Sequence, residues 1–491
     1  LNYQCSKIFF GSPDYPTNQF LITYVGFALT EGGNAPQETQ SPNADTVIDG
    51  SWFITPDGTE YPIDFLGSAA ATVTAATGIV HGTVTLPNDL PGWSVFGIRT
   101  EYHGAEGAQR LANYRHQRHR GEKFWGAADL TSLRALASSN APSTAALDPD
   151  NLYNTVGNAT NSQIMCYGPS LVLAKGWDGR PVPLVTGDSL IERQEIAASA
   201  DERGNMGMLR RWLDQRDPVY GSYIPIVMGV PGEHNEFELT TNAYKRWDLI
   251  DAIALGWNGG KPIWTVVADQ GGRNDTNAVA STWQTRKFGL ADRIQVRYPG
   301  TSILSYTIIP TLNTSTDSGR TVAGYTALSA TWNPVTGILA TVNAAIKASS
   351  RYTKGVIDMV PAFMSDSDIT KGAAAEMFPL GNVTGTPGNG DGVTNWSTMV
   401  LPSTVKLGAR IMFEYQVGLW TNRTLVERVT ENGDGTTVFR VAEVLPTVCN
   451  NPNATLLGHA YTAADFIHPA LYNILRTVSR IPQSHKLKYH V

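Results

Sequence analysis

Charge is scarce in this sequence, and so is cysteine. Charged residues make up 16% of the 491, with 37 Lys and Arg against 43 Asp and Glu and a net charge of −6. That balance excludes binding that works by neutralising many phosphates, so neither a nucleic acid partner nor a polybasic membrane contact is expected. No apolar run approaches the ~18 residues of a spanning helix, which removes membrane insertion from the expected functions. Cys5, Cys166 and Cys449 are too far apart in sequence for a zinc or redox motif and allow at most one bridge. The opening Leu1-Asn2-Tyr3-Gln4-Cys5 has neither an initiator methionine nor a signal-peptide pattern, as expected of a processed or trimmed chain.

Turn chemistry, by contrast, is plentiful. Gly and Pro number 47 and 28, which points to many strands and turns and few long solvated helices. The length predicts two or three domains, each large enough to bury its own core. Residues 1–177 alternate apolar and polar positions in the short runs Phe20–Tyr24, Ser51–Ile54, Gly82–Leu86 and Ser94–Thr100. They read as an antiparallel β-sandwich accessory domain. Within it, Arg110–Arg120 is a dense basic stretch, read as a solvated surface loop or subunit contact. His116 and His119 lack further ligand spacing, so no metal is assigned to them.

From residue 178 the rhythm changes to apolar strands alternating with amphipathic helices. The strand candidates are Val182–Val185, Ile224–Val230, Pro262–Ala268, Ile303–Pro310 and Val356–Phe363. Helical spacing appears in Met208, Leu209, Trp212 and Leu213, around Tyr244–Leu255, and in Ile338, Leu339, Val342 and Ile346. Right-handed crossovers would join these strands into a parallel sheet with helices on both faces, spanning residues 178–365 and resuming at 446–491. Between those parts, residues 366–445 read as a β-rich insertion. Its hairpin pairs Leu425–Thr430 with Thr437–Val444 around Asn432-Gly433-Asp434-Gly435. A last helix is expected, with Leu471, Ile474, Leu475, Val478 and Ile481 on its apolar face.

The chemistry centres on Thr186-Gly187-Asp188-Ser189-Leu190, where a buried strand stops at a glycine, an acid and a serine. A serine hydroxyl needs a base to take its proton and donors to receive an oxyanion. Two later turns follow strands at the same end of the sheet, Met228–His234 and Asp269–Asp275. Open parallel sheets bind ligands at that end. With its own N–H, Ser189 would share an oxyanion hole with the Gly232 N–H and the Asn274 amide. In the unit Asp465-Phe466-Ile467-His468, His468 would act as the base and Asp465 would fix its tautomer. Asp188 and Asp275 are read as holding their turns, and His234 and His459 as ordinary histidines. Glu233 and Arg273 border the pocket as substrate-binding candidates.

Taken in order, Gly187-Asp188-Ser189-Leu190, Gly232, Gly272-Arg273-Asn274-Asp275 and Asp465-Phe466-Ile467-His468-Pro469 resemble the four blocks of the SGNH/GDSL hydrolase family. The resemblance covers 178–365 and 446–491. It implies a flavodoxin-like three-layer α/β domain with a five-stranded parallel sheet, and a serine esterase that needs no metal or cofactor. Two departures stand out: the long gap from Asn274 to Asp465, and the lack of a polar Asn before the glycines of the second block. Gly232 is preferred over Gly229 because its place after Val230-Pro231 fits the family pattern.

A leading sandwich, 12 Trp and 19 Tyr resemble secreted or phage-virion carbohydrate esterases, where aromatic rings stack on sugars. The resemblance therefore favours O-acetyl removal from a polysaccharide outside the cell, with a homo-oligomer or virion assembly as a further expectation. The alternatives are a virion structural or glycan-binding protein with a vestigial hydrolase domain, and an acyltransferase.

Overall fold

The computed structural model describes residues 2–27, 44–75, 77–105, 114–115, 120–141, 143–144, 165–192, 200–241, 243–310, 328–364, 398–405, 407, 410–416, 419–441, 457–459 and 477–490. The first part contains β1 (Tyr3–Gly11), β2 (Thr17–Val25), β3 (Thr46–Ile54), β4 (Glu60–Pro62), β5 (Ala71–Val73) and β6 (Ile79–Leu90). It continues with β7 (Val95–Gly104), β8 (Tyr114–Arg115), β9 (Lys123–Ala127), α1 (Leu130–Ser138), β10 (Met165–Cys166) and β11 (Leu171–Ala174).

Two antiparallel sheets face each other here. One has the order β4-β3-β7-β1-β9 with β5 also on β3, the other β11-β2-β6, and β8 pairs with β10 apart from both. The alternation that marks such strands is plain in β6, where Gly82, Val84 and Leu86 point inward and Thr85 and Pro87 outward. Phe20 from the smaller sheet meets Phe53 and Phe96 from the larger at ring separations of 4.6 and 5.4 Å. Strand β2 is buried on both faces. Its even side chains Phe20, Ile22 and Tyr24 enter the sandwich core, while Leu21 and Val25 pack with Leu249 and Ile253 of a helix in the next part. Cys5 and Cys166 are buried thiols in no disulfide.

The second part contains β12 (Pro183–Thr186), α2 (Ser189–Glu192), α3 (Gly207–Asp214), β13 (Ile226–Val227), α4 (Lys245–Trp257) and β14 (Val266–Asp269). Then come α5 (Ala280–Arg297), β15 (Ile303–Tyr306), α6 (Ile338–Ala348), β16 (Val356–Ile357) and α7 (Val360–Phe363). The strands form a five-stranded sheet in the order β13-β12-β14-β15-β16, all pairs parallel. Successive residues serve opposite faces. Val185, Ala268 and Leu304 pack on α3 and the carboxyl-terminal segment, while Leu184, Val267 and Ile303 pack on α4, α5 and α6.

The strands are shorter than their apolar runs. Ile308 and Ile309 remain buried beyond the end of β15, and Val360–Phe363 turns into a helix with Pro361 in its first turn. The long helix α5 has no counterpart among the expected helices. Its buried stripe of Trp283, Lys287, Leu290, Ala291 and Ile294 carries a lysine where the pattern calls for an apolar residue.

The third part holds β17 (Thr398–Pro402), β18 (Arg410–Gln416), β19 (Leu419–Glu431), β20 (Thr436–Val441) and β21 (Leu457–His459), in the antiparallel order β17-β20-β19-β18-β21. The expected hairpin is present, with Gly435 at φ 85° in its turn. Strand β21, carrying His459, pairs with β18 of this sheet, although its residues lie past the boundary read at 445. Residues 477–480 are helical, and Val478 and Ile481 are buried as expected of the last helix. The earlier residues of that helix lie outside those described. Among the described residues no helix is long and apolar enough to cross a membrane.

The basic stretch needs a correction at its end. Arg120, expected on a solvated loop, is buried against Glu122 at 2.7 Å and donates to the Phe9 and Glu202 carbonyls at 2.6 and 2.9 Å. Arg203 joins the same two parts, reaching the Ser12 carbonyl at 2.7 Å while paired with Asp214 at 2.7 Å. Each guanidinium has several donors to satisfy, and carbonyls at the ends of the sandwich strands supply acceptors that one carboxylate cannot.

Candidate active site

Counted in chain order, the parallel strands lie 2-1-3-4-5, so the direction of winding reverses between β12 and β14. A crevice opens at the carboxyl ends of the strands at such a point. Ser189 follows β12 directly. Gly187 adopts φ 151°, and a Cβ there would lie 2.9 Å from Gln270 Oε1 and 3.1 Å from Ile191 Cδ1. Only glycine fits, and the sharp turn it makes starts α2 at the serine. The Asp188 carboxylate accepts the Leu190 N–H at 3.0 Å, which is the turn-holding role read for it.

Main-chain bonds tie three turns together. The Gln270 N–H donates to the Thr186 carbonyl at 3.0 Å, and the Val230 N–H to the Gly187 carbonyl at 3.1 Å. In the second turn, Gly232 has φ 78°. In the third, the Asn274 Nδ2 donates to the Glu233 carbonyl at 2.9 Å. That bond occupies one of two amide hydrogens and orients the other. Asn274 is half-buried, and Ser189 retains 9% exposure. Gly187, Ser189, Gly232 and Asn274 thus stand on turns from three neighbouring strands, joined by these bonds.

Glu233 requires a correction. Its side chain is 1% exposed and forms a two-point pair with Arg246, at 2.9 Å from Nη1 to Oε2 and 2.5 Å from Nη2 to Oε1. The carboxylate is committed to holding the second turn on α4, not presented to a substrate. Arg273 is also buried, 5% exposed, with its guanidinium 5.5 Å from the Trp332 ring centre.

Beneath the turns lies a buried polar network that no motif announced. Asp269, at the end of β14, pairs with Lys287 of α5 at 2.8 Å, and both side chains are fully buried. Lys287 also donates to the Gly271 carbonyl at 2.9 Å, and the Asn235 amide donates to Asp269 at 3.0 Å. A Cβ on Gly271 would lie 2.0 Å from Asn235 Oδ1, so that glycine exists to let the asparagine through. The only sequence signal for this network is the lysine inside an apolar stripe.

Asp275 accepts the Asn235 and Glu236 N–H groups at 3.0 Å each, as expected of a turn-holding residue. Burial pushes its pKa up to about 6 in spite of those bonds. His234 is half-buried, and burial lowers its pKa. Its Nδ1 stands 3.8 Å from Asp275, too far for a hydrogen bond.

Among the described residues, His234, Glu236 and Asp275 have ligand atoms within 4.8 Å of one another and could meet at a metal ion. Glu236 is already paired with Arg286 at 3.1 Å, however, and both Asp275 oxygens carry backbone N–H bonds. Asp465 and His468 lie outside the described residues.

No family model matches this chain, and no curated protein matches its sequence. Solved structures give weak likenesses. A family two carbohydrate esterase from Cellvibrio japonicus is 11% identical, with 74% of this chain and 85% of that one covered and a TM-score of 0.24. A carbohydrate esterase family 2 enzyme plus carbohydrate binding domain from Corynascus thermopiles is 10% identical over 72% and 89% of the two chains, with a TM-score of 0.23. A Bacteroides ovatus protein described as a GDSL-like lipase is 8% identical over 63% and 60%, with a TM-score of 0.18. At such TM-scores the likenesses carry no argument about fold or activity.

Proposed function

We propose that this protein is a serine esterase of SGNH type that removes O-acetyl groups from a polysaccharide outside the cell. The observation that supports the reading is that Ser189, Gly232 and Asn274 stand on three turns after neighbouring strands, tied by main-chain bonds at the switch between β12 and β14. In the proposed reaction Ser189 Oγ attacks the ester carbonyl and its proton passes to His468. The carbonyl oxygen gains the negative charge and is received by the N–H groups of Ser189 and Gly232 and the second Asn274 hydrogen. Collapse expels the sugar hydroxyl, which takes the proton from His468. Water then attacks the acyl-enzyme by the same steps in reverse, releasing acetate and restoring the serine.

The test is acetate release from a panel of acetylated polysaccharides and from p-nitrophenyl acetate, with Ser189→Ala measured in parallel. The expected result is release by the native protein and a loss of at least ~10⁴-fold in the variant with an unchanged melting temperature. Equal release by both proteins, or none from any substrate, overturns the reading.

A further inference from the structure

A cavity lies at the other, amino-terminal end of the parallel sheet, on the seam with the sandwich. Its wall is built from Asp14 after β1, Asp178 and Arg180 before β12, and Arg216 to Gly221 before β13. The length of β12 separates it from Ser189. Its volume of about 550 Å³ falls within the ~300–1,000 Å³ of small-ligand sites.

Four of the five charges in its wall are paired with one another. Asp14 stands 3.3 Å from Arg180 and 3.0 Å from Arg216, and Asp178 is 2.6 Å from Arg180. The Asp217 carboxylate accepts the Val219 and Tyr220 N–H groups at 2.8 and 2.9 Å. A phosphate would therefore find no unpaired guanidinium in the wall to bind. A ligand with many hydroxyls would find donors and acceptors in alternation.

One acceptor has capacity to spare. Asp14, with its side chain 8% exposed, has an Oδ1 that faces Arg216 without making a hydrogen bond of good geometry. Arg216 is 62% exposed and can turn to share that oxygen with a ligand. Beside the cavity stands Trp177, 56% exposed although it is a large aromatic residue. Its Nε1–H donates to the Arg180 carbonyl at 2.7 Å, which fixes the indole next to the polar wall. A fixed aromatic face beside paired planar charged groups suits a sugar ring, whose faces are apolar and whose edge is polar.

We propose that this cavity binds a segment of neutral glycan, with Trp177 as the stacking surface and Asp14, Asp178, Arg180 and Arg216 as partners for its hydroxyls. The site is independent of the chemistry at Ser189. Affinity electrophoresis of the full chain in gels containing deacetylated glucomannan or deacetylated xylan tests it, with polygalacturonate and chitosan as charged comparisons. The expected result is retardation by a neutral polymer, weakened roughly tenfold by Trp177→Ala and reduced by Arg216→Ala.

Ser189→Ala should bind as the native chain does, and Trp177→Ala should keep native turnover of p-nitrophenyl acetate. Absence of retardation by both neutral polymers, retardation by charged polymers alone, or binding untouched by both wall variants overturns the proposal. If the native protein is retarded yet turns over no ester, the esterase reading fails and this one stands.

Discussion

Lys287 and Arg180 are both cations paired to aspartates, one at each end of the parallel sheet, and water treats them differently. The Lys287–Asp269 pair is fully buried beneath the turns that carry Ser189 and Asn274. The Arg180–Asp178 pair is 25% and 33% exposed along the seam cavity. A buried pair has given up its hydration and is held by its partner and by carbonyls. An exposed pair keeps its hydration and can exchange partners with a ligand. The comparison teaches that the end carrying Ser189 is held by charge that cannot be rearranged, while the seam presents charge that can.

The sharpest way to break this contrast is Lys287→Met, which keeps the length of the side chain and leaves Asp269 charged and unmatched. We expect a loss of about 3–5 kcal/mol, read by denaturant unfolding, together with reduced ester turnover as the Gly271 carbonyl loses its anchor. A variant with native stability would show that the pair holds nothing.

Next in size, Asn274→Ala should lower kcat by roughly 10²–10³ with KM and melting temperature nearly unchanged. A change confined to KM would make Asn274 a substrate contact only.

Asp275 sharpens the comparison through pH. Its folded-state pKa, about 6, lies above the ordinary 3.8 because it is buried, so between those values the folded protein holds a proton that the unfolded chain releases. Its contribution to stability therefore falls as pH rises from about 4 to about 6. Thermal melts across that window should show a decline in the native protein that is smaller in Asp275→Asn. Equal slopes would show that Asp275 is not the titrating group.

The smallest effect is expected at the seam. Asp178→Asn should cost no more than about 1 kcal/mol, because the pair it weakens is solvated. A cost comparable to that of Lys287→Met would erase the distinction between the two ends.

Much of the fold is legible in the residues taken alone. Alternation marks β6, and helical spacing marks α3 and α6, since one face of each meets a core and the other meets water. The Asn432–Gly435 turn marks its hairpin, because few residues besides glycine and asparagine accept the backbone angles required. Gly187-Asp188-Ser189 and Gly272-Arg273-Asn274 are visible as turns after strands for the same reason. Helix α5 was hidden by Lys287, whose burial depends on Asp269, and β21 is too short to carry a pattern of its own and pairs with a strand remote in sequence.

Local patterning, then, determined the turns, the periods and the order of the chemical groups, since those depend on neighbours along the chain. Tertiary structure decided which charges lie inside: Glu233 against Arg246, Lys287 against Asp269, and Arg120 and Arg203 between the sandwich and the parallel sheet. The physical reason is that the cost of burying a charge depends on what surrounds it in space. For these residues much of the surroundings comes from distant segments of the chain.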